Sequence, residues 1–397
     1  MPASRRDFLS TLGLGLAAGP FLPLLQRTAG AADRSNDRVL VVVQLAGGND
    51  GLNTVVPYED DAYGRARPTL RLAAKDVHKL GQDLGFHPSL KSFHRLFQEG
   101  TLAVVQGVGY PKPNPGHGES MRIWQAGQLD GPGAQTGWIG RTVDAVRRPD
   151  QATAPALFLG EIRPPFALNA ARSVIPVMQS LDQGRLAKTV PPAETDRSDD
   201  SLLALARRST ALASERSRRI EAAVRNDRAE YPAYQFAAGL RTIAQLIRAD
   251  VGIRIFVTEL GGEEPGGFDT HAGQAANHGA LLEQLSRSVT AFVDDLATDK
   301  TLDRVLLMTF SEFGRTVEEN GRRGTDHGSA APVFLAGGRV RGGLIGPHPN
   351  LTDLENGGQK HHTDFRRLYA AALGPWLGID PQPVLGPVEP LDVVRAG

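Results

Sequence analysis

The sequence predicts an α/β protein with a mostly parallel sheet covered by helices on both faces. Three observations predict it. Four short runs are continuously apolar and rich in β-branched residues, Arg38–Leu45, Leu102–Gln106, Ile253–Thr258 and Arg304–Phe310, with a weaker fifth at Pro332–Ala336. Strands buried on both faces have this unbroken character, whereas half-exposed strands alternate. Helical patterns separate the runs, and each of the four strong runs leads to a polar loop.

The elements follow in chain order. Ser4-Arg5-Arg6-Asp7-Phe8-Leu9 opens the chain, an apolar run from Leu9 to Leu25 follows, and Ala29-Gly30-Ala31 closes the segment. A basic start, a short apolar stretch and an A-x-A site are the layout of a cleaved signal peptide. The paired arginines make it a twin-arginine signal, an address read by the translocase and no lasting anchor. Residues 1–31 are therefore expected to be removed, leaving 32–397 as one α/β domain in the periplasm or outside the cell. The clearest helix, Ala275–Ala297, places Leu281, Leu282, Leu285, Val289, Phe292, Val293 and Leu296 at helical spacing. A second, Phe365–Leu373, precedes a Pro-rich tail. Around residues 180–230 the composition changes to TVPPAETDRSDD and then an Arg-, Ala- and Ser-rich stretch, expected as a helical, partly exposed insertion.

Charge narrows the function. Lys plus Arg and Asp plus Glu number 44 each, so no global field attracts nucleic acid or an anionic membrane. There is no cysteine, so stability comes from the core or a bound metal even where disulfides would persist.

Ligands of open parallel sheets bind beyond the carboxyl ends of the strands. The loops there read Ala46-Gly-Gly-Asn-Asp50-Gly-Leu-Asn53, Asn114-Pro-Gly116-His117-Gly-Glu-Ser120, Phe268-Asp269-Thr-His271, and Ser311-Glu312-Phe313-Gly-Arg315 with Thr325-Asp326-His327 beyond. Together Asp50, Asp269, His271, Glu312, Asp326 and His327 form a set that suits a divalent ion. Zinc, manganese, magnesium and calcium are all open on ligand type. Each motif also has a plainer reading. Asp50 can stabilise a turn, Asp269-Thr-His271 can cap a helix, and Arg315 can tie Glu312 or a loop carbonyl instead of an anionic substrate. His87 and His94 fit packing or surface positions, and His361 and His362 near Asp364 fit either. No G-x-G-x-x-G fingerprint supports a dinucleotide.

The segments VVVQLAGGNDGLNTVVPY, GYPKPNPGHGESMRIWQAG, TGWIGR, FDTHAGQ, TFSEFGRTVEENGRRGTDHGSAAPVFLAGG and TDFRRLY together resemble the domain of unknown function 1501 (DUF1501) family, nearly end to end. That family is grouped with the alkaline phosphatase and sulfatase superfamily, so the resemblance implies an alkaline phosphatase-like fold. It also implies hydrolysis of phosphate or sulfate esters with one or two metal ions and a hydroxyl nucleophile. By the same resemblance Asp50 is the first-strand metal carboxylate, Asp269 and His271 belong to a metal site, Glu312 stands for the Asp of an Asp-His pair, and His327 is the last metal histidine. Phe313 replaces the histidine of that pair, which leaves one of two metal sites incomplete. Gly116 stands where the family has serine, and Ser120 is the nearest hydroxyl.

Two functions follow. The first is an exported hydrolase in which a metal acts on a small anionic ester, a water or Ser120 attacks, and Arg315 or His117 steadies the anion. The second is a catalytically reduced protein that keeps the fold and binds an envelope partner or polymer.

Overall fold

The structure is a computed structural model that describes residues 37–130, 133–146, 155–160, 164–179, 181, 215–261 and 267–395. The segment expected to be a twin-arginine signal and the 182–214 part of the expected insertion lie outside them. Among the described residues the main sheet has nine strands. In chain order they are β1 (Val39–Ala46), β2 (Leu102–Gly109), β3 (Ala156–Leu159), β4 (Val177–Met178), β5 (Ile255–Gly261), β6 (Val305–Phe310), β7 (Ala331–Ala336), β8 (Gly343–Ile345) and β9 (Thr363–Asp364). They lie side by side as β8-β2-β7-β6-β1-β5-β3-β4, and β9 also pairs with β2. Every pairing is parallel except those of β7, which runs antiparallel to β2 and β6. The predicted mostly parallel sheet is therefore the observed one, and the weakest run, Pro332–Ala336, is its single reversed strand.

Alternation along each strand explains the unbroken apolar runs. Val39, Val41, Val43 and Leu45 of β1 enter one core, while Leu40 and Val42 enter the other. Helices α1 (Lys91–Gln98), α4 (Gln235–Ala249) and α5 (Gln274–Ala297) supply the first core; α2 (His117–Ala126), α3 (Trp138–Val146) and α6 (Phe365–Ala371) supply the second. Both faces of β1 are thus dry, and period-two patterning disappears from its sequence. On α5, Leu281, Leu282, Leu285, Val289, Phe292, Val293 and Leu296 are all buried, as the helical spacing predicts. No helix among the described residues is long and apolar enough to cross a membrane.

Among the described residues two small sheets accompany the main one. Arg315–Glu319 and Thr325–His327 form a hairpin whose register sets Arg315 opposite His327. Val55–Pro57, Leu84–Phe86 and His78–Gly81 form the other.

A cluster of imidazoles and carboxylates at the carboxyl ends of the strands

The loops after β1, β2, β5 and β6 meet at one edge of the sheet, and two glycines let them meet. Gly47 and Gly48 have φ of +114° and +78°, which side chains rarely adopt. A Cβ on Gly47 would strike the backbone of Phe268 and Asp269, and one on Gly48 would enter the Phe313 ring. The Asp269 loop is held against the hairpin by Thr325 N–H donating to Thr270 O at 3.2 Å and Gln274 N–H to Arg323 O at 2.9 Å.

Three imidazoles surround the Asp269 carboxylate. His271 Nε2 lies 3.0 Å from Asp269 Oδ1, His327 Nε2 3.3 Å from the same oxygen, and His117 Nε2 3.4 Å from Oδ2. His271 Nε2 and His327 Nε2 are 2.9 Å apart. His117, Asp269 and His327 offer ligand atoms that all fall within 4.8 Å of one another.

The opposite ring nitrogens fix the tautomers. His117 Nδ1 donates to Glu312 Oε1 at 2.9 Å, His271 Nδ1 to Asp326 Oδ1 at 3.0 Å, and His327 Nδ1 to Pro115 O at 2.6 Å. Each acceptor is an oxygen, so in the neutral rings the proton sits on Nδ1 and every Nε2 turns a lone pair inward. This is how metal-binding histidines are oriented by their outer partners. His117 Nε2 is buried and makes no hydrogen bond. Phe313 stacks on His327 with centroids 4.6 Å apart and lies 4.9 Å from His117, walling one side of the cluster with carbon.

Arg315 anchors the group from beneath. Its guanidinium holds Asp269 Oδ1 at 2.6 Å, Gly48 O at 2.7 Å, Thr325 O at 3.0 Å, Phe268 O at 3.1 Å and Gly47 O. Burial raises the Asp269 pKa, but Arg315 outweighs it and keeps the carboxyl below its ordinary value. The bond to Glu312 lifts His117 above the usual imidazole range, and burial lowers His327. Bonds from Asn320 and His271 lower Asp326.

Other candidates lie apart from this convergence. Asp50 is completely buried and paired with Arg67, Nη1 to Oδ2 at 2.6 Å and Nη2 to Oδ1 at 2.9 Å. It also caps the short helix Gly51–Thr54 by accepting from Asn53 N–H. Glu312 stands behind His117, taking Gly47 N–H at 2.9 Å on Oε1 and the Ser311 hydroxyl at 3.2 Å on Oε2. Ser120 is fully buried in α2, its Oγ donating to Glu312 O at 2.5 Å and bonding Tyr110 OH at 2.8 Å. Asp269 does not cap α5, whose N-cap is Gly273. His87 caps the turn Pro88–Leu90, and His94 Nε2 bonds Lys79 O at 3.1 Å.

Sequence reasoning missed Arg67, which sits in the stretch RARPTL with no periodicity or motif to mark it. It also missed the inward aim of His117, which only the Glu312 bond reveals.

The sequence profile of the family described as protein of unknown function (DUF1501) matches residues 37–392. No curated protein matches the chain significantly. Similar solved structures include the C-terminal periplasmic domain of EcEptC from Escherichia coli in complex with Zn, 10% identical over 76% of this chain and 73% of that one, TM-score 0.35. A protein in the alkaline phosphatase superfamily from Vibrio parahaemolyticus is 10% identical over 88% and 72%, TM-score 0.32. Phosphonate monoester hydrolase SpPMH from Silicibacter pomeroyi is 11% identical over 89% and 78%, TM-score 0.33.

Proposed function

The chain belongs to the DUF1501 family, and on that footing we propose that it is an exported, metal-dependent hydrolase of phosphate or sulfate esters. Its ion is held by His117, Asp269, His271 and His327. One observation carries the proposal: three Nε2 atoms, each with a lone pair in the neutral Nδ1-protonated ring, turn toward a single carboxylate, with His271 and His327 Nε2 only 2.9 Å apart. Two such lone pairs repel unless a proton or a cation lies between them, and the buried, unbonded Nε2 of His117 asks for the same partner. Three imidazoles and one carboxylate suit zinc, whereas magnesium and calcium favour all-oxygen cages.

A bound ion would supply Lewis-acid polarisation of an ester oxygen. The chain's own residues do the rest. Glu312, Asp326 and the Pro115 carbonyl hold the rings and their tautomers, and Arg315 fixes Asp269. Arg315 is turned onto loop carbonyls and Asp269, and His117 is committed through Nδ1 to Glu312 and through Nε2 to the ion, so neither is left to steady an anion. The Ser120 hydroxyl is closed in behind Glu312 O and Tyr110, which leaves water as the nucleophile.

A second function rests on ligand count. Four protein donors are typical of closed, structural metal sites, so the protein would then bind an envelope polymer or partner around a structural ion. Metal analysis of protein purified without chelator, alongside hydrolysis of aryl phosphate, phosphodiester and aryl sulfate, separates the two. Stoichiometric metal with turnover that Asp269→Asn abolishes supports the hydrolase; stoichiometric metal with no turnover on any ester supports the binding protein. Export through the twin-arginine route predicts that replacing Arg5 and Arg6 with lysine retains the chain in the cytoplasm.

A further inference from the structure

We infer that the centre holds one metal ion and not two, with the Arg67 guanidinium standing as the permanent cation of Asp50. The inference rests on the metal-dependent function proposed above and concerns what becomes of the second ion that the family resemblance allows. Of the positions that the resemblance gives to metal ligands, 50, 312 and 313 lie outside the imidazole cluster, and each is closed.

Asp50 and Arg67 form a complete ion pair. Both side chains are fully buried, and both carboxylate oxygens accept from the guanidinium. Gln274 Nε2 adds a donor to Oδ2, and Asn53 N–H one to Oδ1 at 3.3 Å. A guanidinium has five N–H groups, and those of Arg67 find Asp50 twice, Asn53 Oδ1 at 2.7 Å, Thr316 O at 2.9 Å and Val317 O at 3.0 Å. Nothing on either partner is left for an ion. A divalent cation at Asp50 would have to displace Arg67 and strand its charge in a dry site, which is among the costliest events in a protein interior.

The other two positions agree. Glu312 gives Oε1 to His117 and Gly47 and Oε2 to Ser311, so it serves as a support for an imidazole. Phe313 is 1% exposed and offers only a ring face. Arg67 thus neutralises the buried aspartate that a second ion would otherwise neutralise.

Metal-free protein titrated with Co²⁺ or Zn²⁺, desalted and analysed for metal tests this. One equivalent per chain is expected, and the Co²⁺ form is expected to give an uncoupled high-spin electron paramagnetic signal. In the double variant Asp50→Asn, Arg67→Gln the stoichiometry is expected to stay at one. Two equivalents in the wild type, with a coupled signal, would overturn the single-ion inference and leave the metal-dependent function standing. No retained metal would overturn both. If the double variant does not fold, the wild-type stoichiometry and signal decide alone.

Discussion

Two aspartates end up beside two buried arginines at the same edge of the sheet, and the pairs differ in how completely they are satisfied. Arg67 takes both oxygens of Asp50, and the pair is sealed from water on both sides. Arg315 is just as buried but takes only Oδ1 of Asp269, whose side chain is 20% exposed and whose Oδ2 lies 3.4 Å from His117 Nε2. An arginine that saturates a carboxylate makes a structural pin. One that takes a single oxygen orients the carboxylate and leaves the other oxygen facing an imidazole.

The comparison can be broken at its structural end first. Arg67→Met leaves Asp50 buried without its partner and is expected to cost about 3–5 kcal/mol in urea-unfolding stability; a loss under ~1 kcal/mol would show that the pin is dispensable. At the open end, Asp269→Asn or His327→Ala is expected to weaken zinc binding by more than about 100-fold, beyond what loss of a supporting partner costs. Folding of the metal-free protein should be retained, and isothermal titration together with circular dichroism reads both outcomes. Between these extremes lie the supports. Glu312→Gln and Asp326→Asn are expected to lower metal affinity by about 10–100-fold while keeping the same stoichiometry, and an unchanged affinity would mean that the rings are positioned without them.

The buried histidine beside the pin sharpens the contrast through pH. His278 Nε2 sits 3.0 Å from Asn49 Oδ1, and burial, opposed by the charge of Asp50, pushes its pKa from 6.5 down to about 3. The native state therefore keeps it neutral while the unfolded chain protonates it. Its contribution is fully present above pH ~6.5 and is lost as pH falls, by about 2 kcal/mol at pH 5. His278→Gln should flatten that part of the acid limb in unfolding experiments at stepped pH. The smallest effect is expected at Ser120. Ser120→Ala removes the bond to Glu312 O and should cost about 1 kcal/mol of stability while sparing most of the hydrolytic rate, whereas abolished turnover would return the serine to the chemistry.

Much of this was legible before the fold was known. The strands β1, β2, β5 and β6 were visible because burial on both faces leaves unbroken apolar runs, and α5 because one face is buried and the other is wet. The short β3 and β4, four and two residues long, carry too few side chains to form a pattern. The loops were found because polar, Gly-rich stretches after buried strands are unusual. Their division of labour was not, since Asp50 and Asp269 present the same residue type in similar settings.

What the sequence determined by itself is the sheet, its helices and the gathering of acids and histidines at one edge, because these depend on hydrophobic periodicity and on where strands end. Only the tertiary structure decided which carboxylate is pinned and which is free, because that depends on Arg67, Arg315 and Glu312 reaching across 17, 46 and 195 residues of chain. No local pattern encodes contacts at that separation; they exist only once the strands have brought the loops together.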